Sequence, residues 1–467
     1  MKNIYAFGLI LLSILGCDSA QETVGTTPNI VEVSDDTNVY FSEHISPIIY
    51  NNCVECHRED GAAPFSMTRY HDVQKRAKMV AYVTGIGYMP PWPADPNYAH
   101  FIGEKILSQE EKDLIQKWYE QGAPLGDSTK MAAVPKFESG SLLGKPDLVV
   151  KMANPIPVHG DNKDRFLIIK VPFELPVDTF IKVVEFVPGN NQLVHHMNGH
   201  ALAYRGHDEK DLHEGEYYVN LEEFSPREAW KEMGIPNADG SFPVKIPSVS
   251  NYLPGVQTSI YPQGIGGFRM SKKGMFLIND MHYGPSPVDD EDQSYFNVFY
   301  DSIPPKRPIG EFQLGTLGVS PIVPPLVIPP NEKKNFTTSF TLPNAISVLT
   351  VNPHMHLLGK TFKAYAVKPN NDTIPLVKID DWNFRWQFFY TYEKMKHLPA
   401  GTLIKVEAMF DNTLANPDNP FNPPKWITGK DGSMKTTDEM LQLIITYLPY
   451  KEGDEHISLK TDKTAFK

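Results

Sequence analysis

Phe180-Ile181-Lys182-Val183-Val184-Glu185-Phe186-Val187 is dense in β-branched and aromatic residues and stops at Pro188-Gly189. Short runs of this composition, bounded by Pro and Gly, read as β-strands. The same texture continues from about residue 148 to about residue 450, with few helical patterns between. That length suits two antiparallel, jelly-roll-like sandwiches of roughly 150 residues each. The Pro-rich stretch Asp301-Ser302-Ile303-Pro304-Pro305-Lys306-Arg307-Pro308 divides them, giving 148–302 and 303–450. The 41 prolines and 32 glycines also favour β-rich, loop-rich structure over helical bundles. At 467 residues the chain is too long for one core, and length alone suggests about three domains. Lys plus Arg is 44 and Asp plus Glu is 56, a net charge of −12. Nucleic-acid binding is excluded on that balance, because phosphate contacts need a basic surface. A polytopic membrane protein is excluded because there is only one long apolar run.

That run is N-terminal. Lys2 precedes apolar residues 4–15, which are short for a membrane span and suited to a signal-peptide core. It ends Ile14-Leu15-Gly16-Cys17, which resembles a bacterial lipobox. Residues 1–16 are then a lipoprotein signal peptide and Cys17 the lipidated residue; the plainer alternative is an ordinary signal peptide with a chance cysteine. The expected location is an exported bacterial lipoprotein, membrane-anchored through lipid, periplasmic or at the cell surface. Polar residues 17–38 read as a flexible tether.

The two other cysteines stand in Cys53-Val54-Glu55-Cys56-His57, the attachment pattern of a c-type haem. Two thiols three apart add to the haem vinyl groups, and the adjacent histidine reaches the iron from one face. Composition alone predicts roughly 0.0006 such matches by chance. A disulfide or redox Cys-x-x-Cys pair is the competing reading, and neither needs the histidine. Around the motif, residues 40–52 and 70–84 read as helices. Ser108-x-x-Glu111 is a capping box opening a helix with Leu114, Ile115 and Trp118 on one face. This is the plan of a small all-α cytochrome c domain at 39–127, followed by a linker at 128–147. Met89, on the Tyr88-Met89-Pro90-Pro91-Trp92-Pro93 loop, is the candidate second axial ligand beside His57; Met67 and Met79 are its rivals. Charged residues 451–467 read as a tail.

The β region holds three histidine groups: Val194-His195-His196-Met197, Met281-His282-Tyr283-Gly284 and Asn352-Pro353-His354-Met355-His356-Leu357-Leu358-Gly359-Lys360. Singly they are weak, since 15 histidines predict about 0.5 HH and about 0.5 HxH pairs by chance. On a strand, however, alternate residues face the same way, so His354 and His356 can share one metal. Imidazole and thioether are the available soft ligands, a set that suits copper, with zinc as competitor.

The ordered set VHHM, HYG, HMHLLGK and Asp438-Glu439-Met440 resembles the copper type II, ascorbate-dependent monooxygenases, the family of the peptidylglycine α-hydroxylating and dopamine β-monooxygenases. The resemblance spans residues 148–450. It also covers Tyr252-Leu253-Pro254-Gly255, Tyr261-Pro262-Gln263-Gly264-Ile265-Gly266 and Asp411-Asn412-Thr413. Gly61-Ala62-Ala63-Pro64-Phe65 and MPPWPAD resemble the cytochrome part that precedes this module in bacterial fusions. The resemblance implies two copper ions. The first is held by His195, His196 and His282 and stores an electron. The second is held by His354, His356 and Met440, binds O2 and performs the chemistry. Met409 is the rival thioether, and His200 matches no ligand position. The implied reaction hydroxylates a C–H bond of an organic substrate, with electrons from ascorbate, a redox protein or the single covalent haem c. Two departures put a glycine-extended peptide substrate in doubt. Asn352 stands where the peptide-hydroxylating enzyme has a carboxylate-gripping arginine, and Ile444 stands where it has a tyrosine. The alternative of another class is a haem–copper electron carrier or copper-binding surface lipoprotein without oxygenase activity.

Overall fold

In the computed structural model, residues 180–187 lie in the strand Thr179–Val187, antiparallel to Tyr295–Tyr300. The structure describes residues 38–137, 140–221, 223–256, 258–429 and 435–460. The signal peptide, Cys17, the tether up to residue 37 and residues 461–467 lie outside these.

Two β-sandwiches carry most of the chain. In the first, one sheet runs Leu148–Lys151, Tyr295–Tyr300, Thr179–Val187, Phe268–Met270. The facing sheet runs Tyr218–Asn220, Arg165–Glu174, Lys273–Tyr283, Val194–Ala203, Val244–Tyr252. Ile169, Val171, Ile181, Val184, Phe186, Phe276 and Phe296 close the core between them. In the second, Gly310–Gly315, Leu441–Pro449, Ile346–Met355 and Tyr390–Leu398 face a five-stranded sheet. That sheet runs Ile322–Val323, Lys333–Thr341, Leu403–Asp411, Gly359–Val367, Thr373–Ile379. Leu403–Asp411 alternates buried and half-exposed residues, as a strand with one face on the core must. Ile346–Met355 is buried along nearly its whole length, because Val348 and Val351 meet the facing sheet while Leu349 is covered by a second cluster with Met395, Leu448 and Leu459.

Helices are few; apart from Pro226–Glu232, the α-helices among the described residues lie before residue 121. A π-helical turn, Phe41–Ile45, runs into Ser46–Asn52. The helix read over 70–84 is two, Tyr70–Gln74 and Ala77–Gly85. Gln109–Glu120 opens on the reciprocal Ser108 and Glu111 cap and buries Ile115 and Trp118.

These helices close a core of their own around Phe41, Ile49, Val80, Ile115 and Trp118, but they are not detached from the sandwiches. Residues 94–105 leave them and enter the second sandwich. Ala94 bridges to Ile379, Asp95 N–H donates to the Lys378 carbonyl at 2.8 Å, and Ile102 N–H donates to the Thr391 carbonyl at 2.8 Å. Ala99 and Phe101 are buried in that sandwich's core, where Phe101 alone is worth about 2 kcal/mol of burial. The stretch read as a linker is docked as well. Ser141 Oγ–H and Leu142 N–H both donate to the Glu185 carboxylate, and Leu143 is buried against Val183 and Phe299. Residues 451–460, read as the start of a tail, fold back instead. Asp454 is 2 % exposed and takes a bidentate ion pair from Arg307, and Leu459 is buried beside Leu349 and Met395. Buried charge satisfied by a planar guanidinium holds this segment where its polar composition alone suggested freedom. Residues Val39–Lys467 therefore make up one compact unit.

Candidate metal centres and the adjoining cavity

His195 and His196 are neighbours on the Val194–Ala203 strand, and neighbours on a regular strand point to opposite faces. Here the pairing with Lys273–Tyr283 slips between Val194 and His196, a bulge that re-aims one side chain. His196 pairs directly with His282 across the strands, so all three imidazoles meet. Their ligand atoms lie within 4.8 Å of one another. His196 Nδ1 is 3.5 Å from His195 Nδ1 and 3.3 Å from His282 Nδ1. The outward nitrogens are held elsewhere: His196 Nε2–H donates to Asp280 at 3.2 Å and His282 Nε2–H to Asp164 at 2.7 Å. Carboxylates behind imidazoles set the tautomer and leave the inward nitrogen as a lone-pair donor. Burial, reinforced by the neighbouring imidazoles, pushes His195 down to about 2. Burial also lowers His282, to about 4, although Asp164 pulls the other way. Burial would raise Asp280, but its hydrogen bond from His196 and the surrounding imidazoles hold it at about 2. Three imidazoles converging in a buried pocket fit a soft or borderline metal ion.

His354 lies near the end of the Ile346–Met355 strand, and His356 two residues on. Their rings are 5.1 Å apart and nearly perpendicular. His354 Nδ1 is hydrogen-bonded to Gln387 Oε1, and His356 Nδ1–H donates to the Asp438 carbonyl at 2.7 Å. His354 Nε2 is buried with no hydrogen-bond partner among the described residues. An orphaned buried nitrogen costs free energy unless something else takes its lone pair, and a metal does. Met440 is 1 % exposed. The rungs His354↔Gln442 and Met355↔Leu441 place it at the register position opposite His356. Glu439, pushed up to about 8 by burial, accepts from the His356 and Leu358 amides at 3.0 and 2.7 Å. That clamp ties the methionine segment to the histidine turn. Met409 lies on the opposite sheet, its neighbours Ala408 and Phe410 being the residues that face the core. His200 accepts from the Ser248 amide at 3.0 Å and lies outside the trio.

Four consecutive residues, 384–387, join the two groups. The Phe384 ring is 6.4 Å from His282, 6.5 Å from His196 and 5.7 Å from His356. Arg385 is 3.6 Å from Asp164, the carboxylate behind His282. Trp386 lies 5.6 Å from the His195 ring, and Gln387 holds His354. Phe166 covers the far side of His282, stacked at 4.4 Å. The sequence reading missed all of these. The Trp382-Asn383-Phe384-Arg385-Trp386 cluster of aromatics outside any strand was the available signal.

A cavity of about 700 Å³ opens next to the trio. Cys53, Cys56 and His57 line it on one side, and His195, Trp386 and Phe388 on the other. His57 Nδ1–H donates to the Phe65 carbonyl at 3.0 Å, which leaves Nε2 for another partner. Burial pushes the Cys53 thiol up to about 12. Met89 lines the cavity, and so do Met67 and Met79. The buried Trp92 indole N–H, in the same wall, has no hydrogen-bond partner among the described residues. A large apolar group carrying acceptors, with two thiols and an imidazole to bind it, fits these surroundings.

Residues 316–452 match the family model of the copper type II ascorbate-dependent monooxygenase, C-terminal domain, a stretch that contains His354, His356 and Met440. No curated protein matches the chain. Among solved structures, a chain of the Sulfolobus turreted icosahedral virus is 10 % identical, covering 66 % of this chain and 90 % of its own. Its TM-score is 0.17, too low to carry any argument.

Proposed function

The chain belongs, through residues 316–452, to the copper type II ascorbate-dependent monooxygenase family, and from that premise we propose that it hydroxylates a C–H bond of an organic substrate with O2. The balanced reaction is R–H + O2 + two electrons + two protons giving R–OH + H2O. The observation that carries this reading is His354 Nε2, buried and unpartnered inside the matched domain. His354, His356 and Met440 would hold one copper ion, and His195, His196 and His282 the other. When bound, the two coppers supply the one-electron redox steps and the activation of O2. The chain's own residues do the rest. Asp280 and Asp164 hold two of the trio's imidazoles, His196 and His282, with Nδ1 inward. Gln387 and the Asp438 carbonyl orient the HxH pair. Phe384 and Phe166 pack on the rings and exclude water. A thioether is a soft, weak ligand that favours Cu(I).

The cavity would hold one haem c, with Cys53 and Cys56 to bind it covalently and His57 and Met89 to hold its iron. Electrons would enter through this group or from ascorbate. The N-terminus would export the chain and anchor it at Cys17. Asn352 is buried and its amide donates to the Phe388 carbonyl at 2.9 Å, so it offers no cation to a peptide carboxylate. The substrate class this leaves is one without a free carboxylate to be gripped at that position.

The test is metal content of the mature protein after copper loading and desalting, followed by O2 uptake with product analysis. Two coppers per haem iron and a hydroxylated product are expected. Two coppers per haem without product from a broad substrate panel would move the chain to electron transfer. A ratio near zero or one would mean that a site is lost or takes another metal.

A further inference from the structure

The helical part is not free to swing. Lys105 Nζ donates to the Gly255 carbonyl at 2.9 Å and pairs with Glu55, one residue from Cys56. A Cβ on Gly255 would stand 2.8 Å from Cys56 Sγ, so the first sandwich's backbone lies directly on the cysteine. Asn191 Nδ2 donates to the Asp60 carbonyl at 2.9 Å, and residues 94–105 are built into the second sandwich. The cavity therefore keeps one fixed position against the trio. Its wall on that side is His195, with Trp386 5.6 Å from it and the Phe388 and Trp92 rings beyond.

We propose that Trp386 is the positioning residue that couples the Cys53–Cys56–His57 cavity to the first histidine trio, so that the helical part reduces the sandwich without any domain motion. The proposal rests on the reading that the cavity takes haem and the trio takes copper. The step moves one electron and makes no bond: ferrous haem iron is oxidised to ferric, and Cu(II) at the trio is reduced to Cu(I). Trp386 fits this role because it touches both sides. It lines the cavity, and it packs on the one trio histidine that also lines the cavity. The outward nitrogens of His196 and His282 are held by carboxylates instead.

The experiment uses the full mature chain, copper-loaded and oxidised, mixed anaerobically with one equivalent of a reductant that enters at the haem. The haem α band and the Cu(II) electron paramagnetic resonance signal are followed together. In the parent, the reduced band rises and then decays as the copper signal falls. In Trp386→Leu the decay is expected to slow on the order of tenfold, within the roughly hundredfold that a misplacement of about 1 Å can cost a positioned pair. Haem spectrum and copper content should stay at parent values. Where Trp386→Leu loses copper, Trp386→Phe decides, and it should be measurably slower than the parent. A parent-like decay in a fully metallated variant overturns the proposal. A parent chain lacking haem or copper overturns the reading beneath it, and the proposal with it.

Discussion

Asp280 accepts from His196 Nε2–H, and that contact decides which nitrogen is left for a metal. Removing its charge while keeping its shape isolates the effect. Asp280→Asn is expected to weaken copper binding at the trio tenfold to hundredfold, a range of about 1.4–2.7 kcal/mol for an outer hydrogen-bond partner of a metal-ligating histidine. Competition against a calibrated Cu(I) or Cu(II) chelator reads this directly; unchanged affinity would show that the charge on Asp280 does not support the metal-binding imidazole. At the other group, Met440→Ile replaces a thioether with a branched alkyl chain of similar bulk. Hydroxylation is expected to be lost while the haem spectrum stays intact, and a fully active variant would remove Met440 from the mechanism. The HxH pair was legible because alternation on a strand brings its residues to one face, and the His195, His196 and His282 grouping because the ordered motifs resembled a family. The residues that orient them were not. Asp164 and His282 are 118 positions apart, and Asp280 and His196 are 84 apart. Only the Asp280-x-His282 alternation on one strand hinted that a carboxylate stood near the trio.

Strand geometry explains why a histidine pair at adjacent positions works as well as one at alternate positions. The first needs the slip beside His195; the second needs only the extended end of Ile346–Met355, with His356 just past it. The second group also depends on the turn after Gly310–Gly315. Gly315 has φ +83°, and a Cβ there would stand 2.0 Å from the Leu441 carbonyl, next to Met440. Gly315→Ala therefore meets both left-handed backbone strain of about 1–2 kcal/mol and a backbone clash. A lower Tm and preferential loss of one copper per chain are expected, read by calorimetry and metal analysis; a variant that keeps both coppers would mean the turn does not position Met440. The 451–460 segment gives a pH-dependent counterpart. Burial would raise Asp454, but Arg307 and Ser347 hold its carboxyl down at about 2, below its unfolded value near 3.9. A depressed carboxylate adds stability that is present above about pH 4 and lost as pH falls towards 2. Asp454→Asn should thus cost about 2 kcal/mol at neutral pH, with the gap from the parent narrowing between about pH 4 and pH 2. Denaturant unfolding across that range checks it. A charged composition could not reveal this docking, because the partner, Arg307, is 147 positions away.

At the scale of the whole molecule, strand texture was enough to read two sandwiches, since β-rich runs and Pro/Gly punctuation are local signals. The way the parts lock together was not readable. Met89-Pro90-Pro91-Trp92-Pro93 and the residues after it were read as a ligand loop, yet Trp92, Ala94, Ala99 and Phe101 also pack on the second sandwich. Nothing in a short apolar run says which of two cores it joins. The packing has a thermodynamic consequence. A chain cut to residues 141–460 would lose Phe101 and its neighbours from beneath Tyr390 and Tyr392, whose rings lie 4.9 and 5.2 Å from Phe101. It would also expose the cavity face around His195 and Trp386. Loss of a buried phenylalanine alone costs about 3–5 kcal/mol, a large fraction of a domain's net stability. The truncated chain is therefore expected to melt well below the full chain, with the second sandwich unfolding first, and to bind a hydrophobic dye. Hydrogen exchange localised to Tyr390–Leu398 and Thr373–Ile379 would place the loss where the segment docks. Equal melting temperatures would mean that the docking only positions the cavity and adds no stability, leaving its fixed geometry against His195 as the reason for the arrangement.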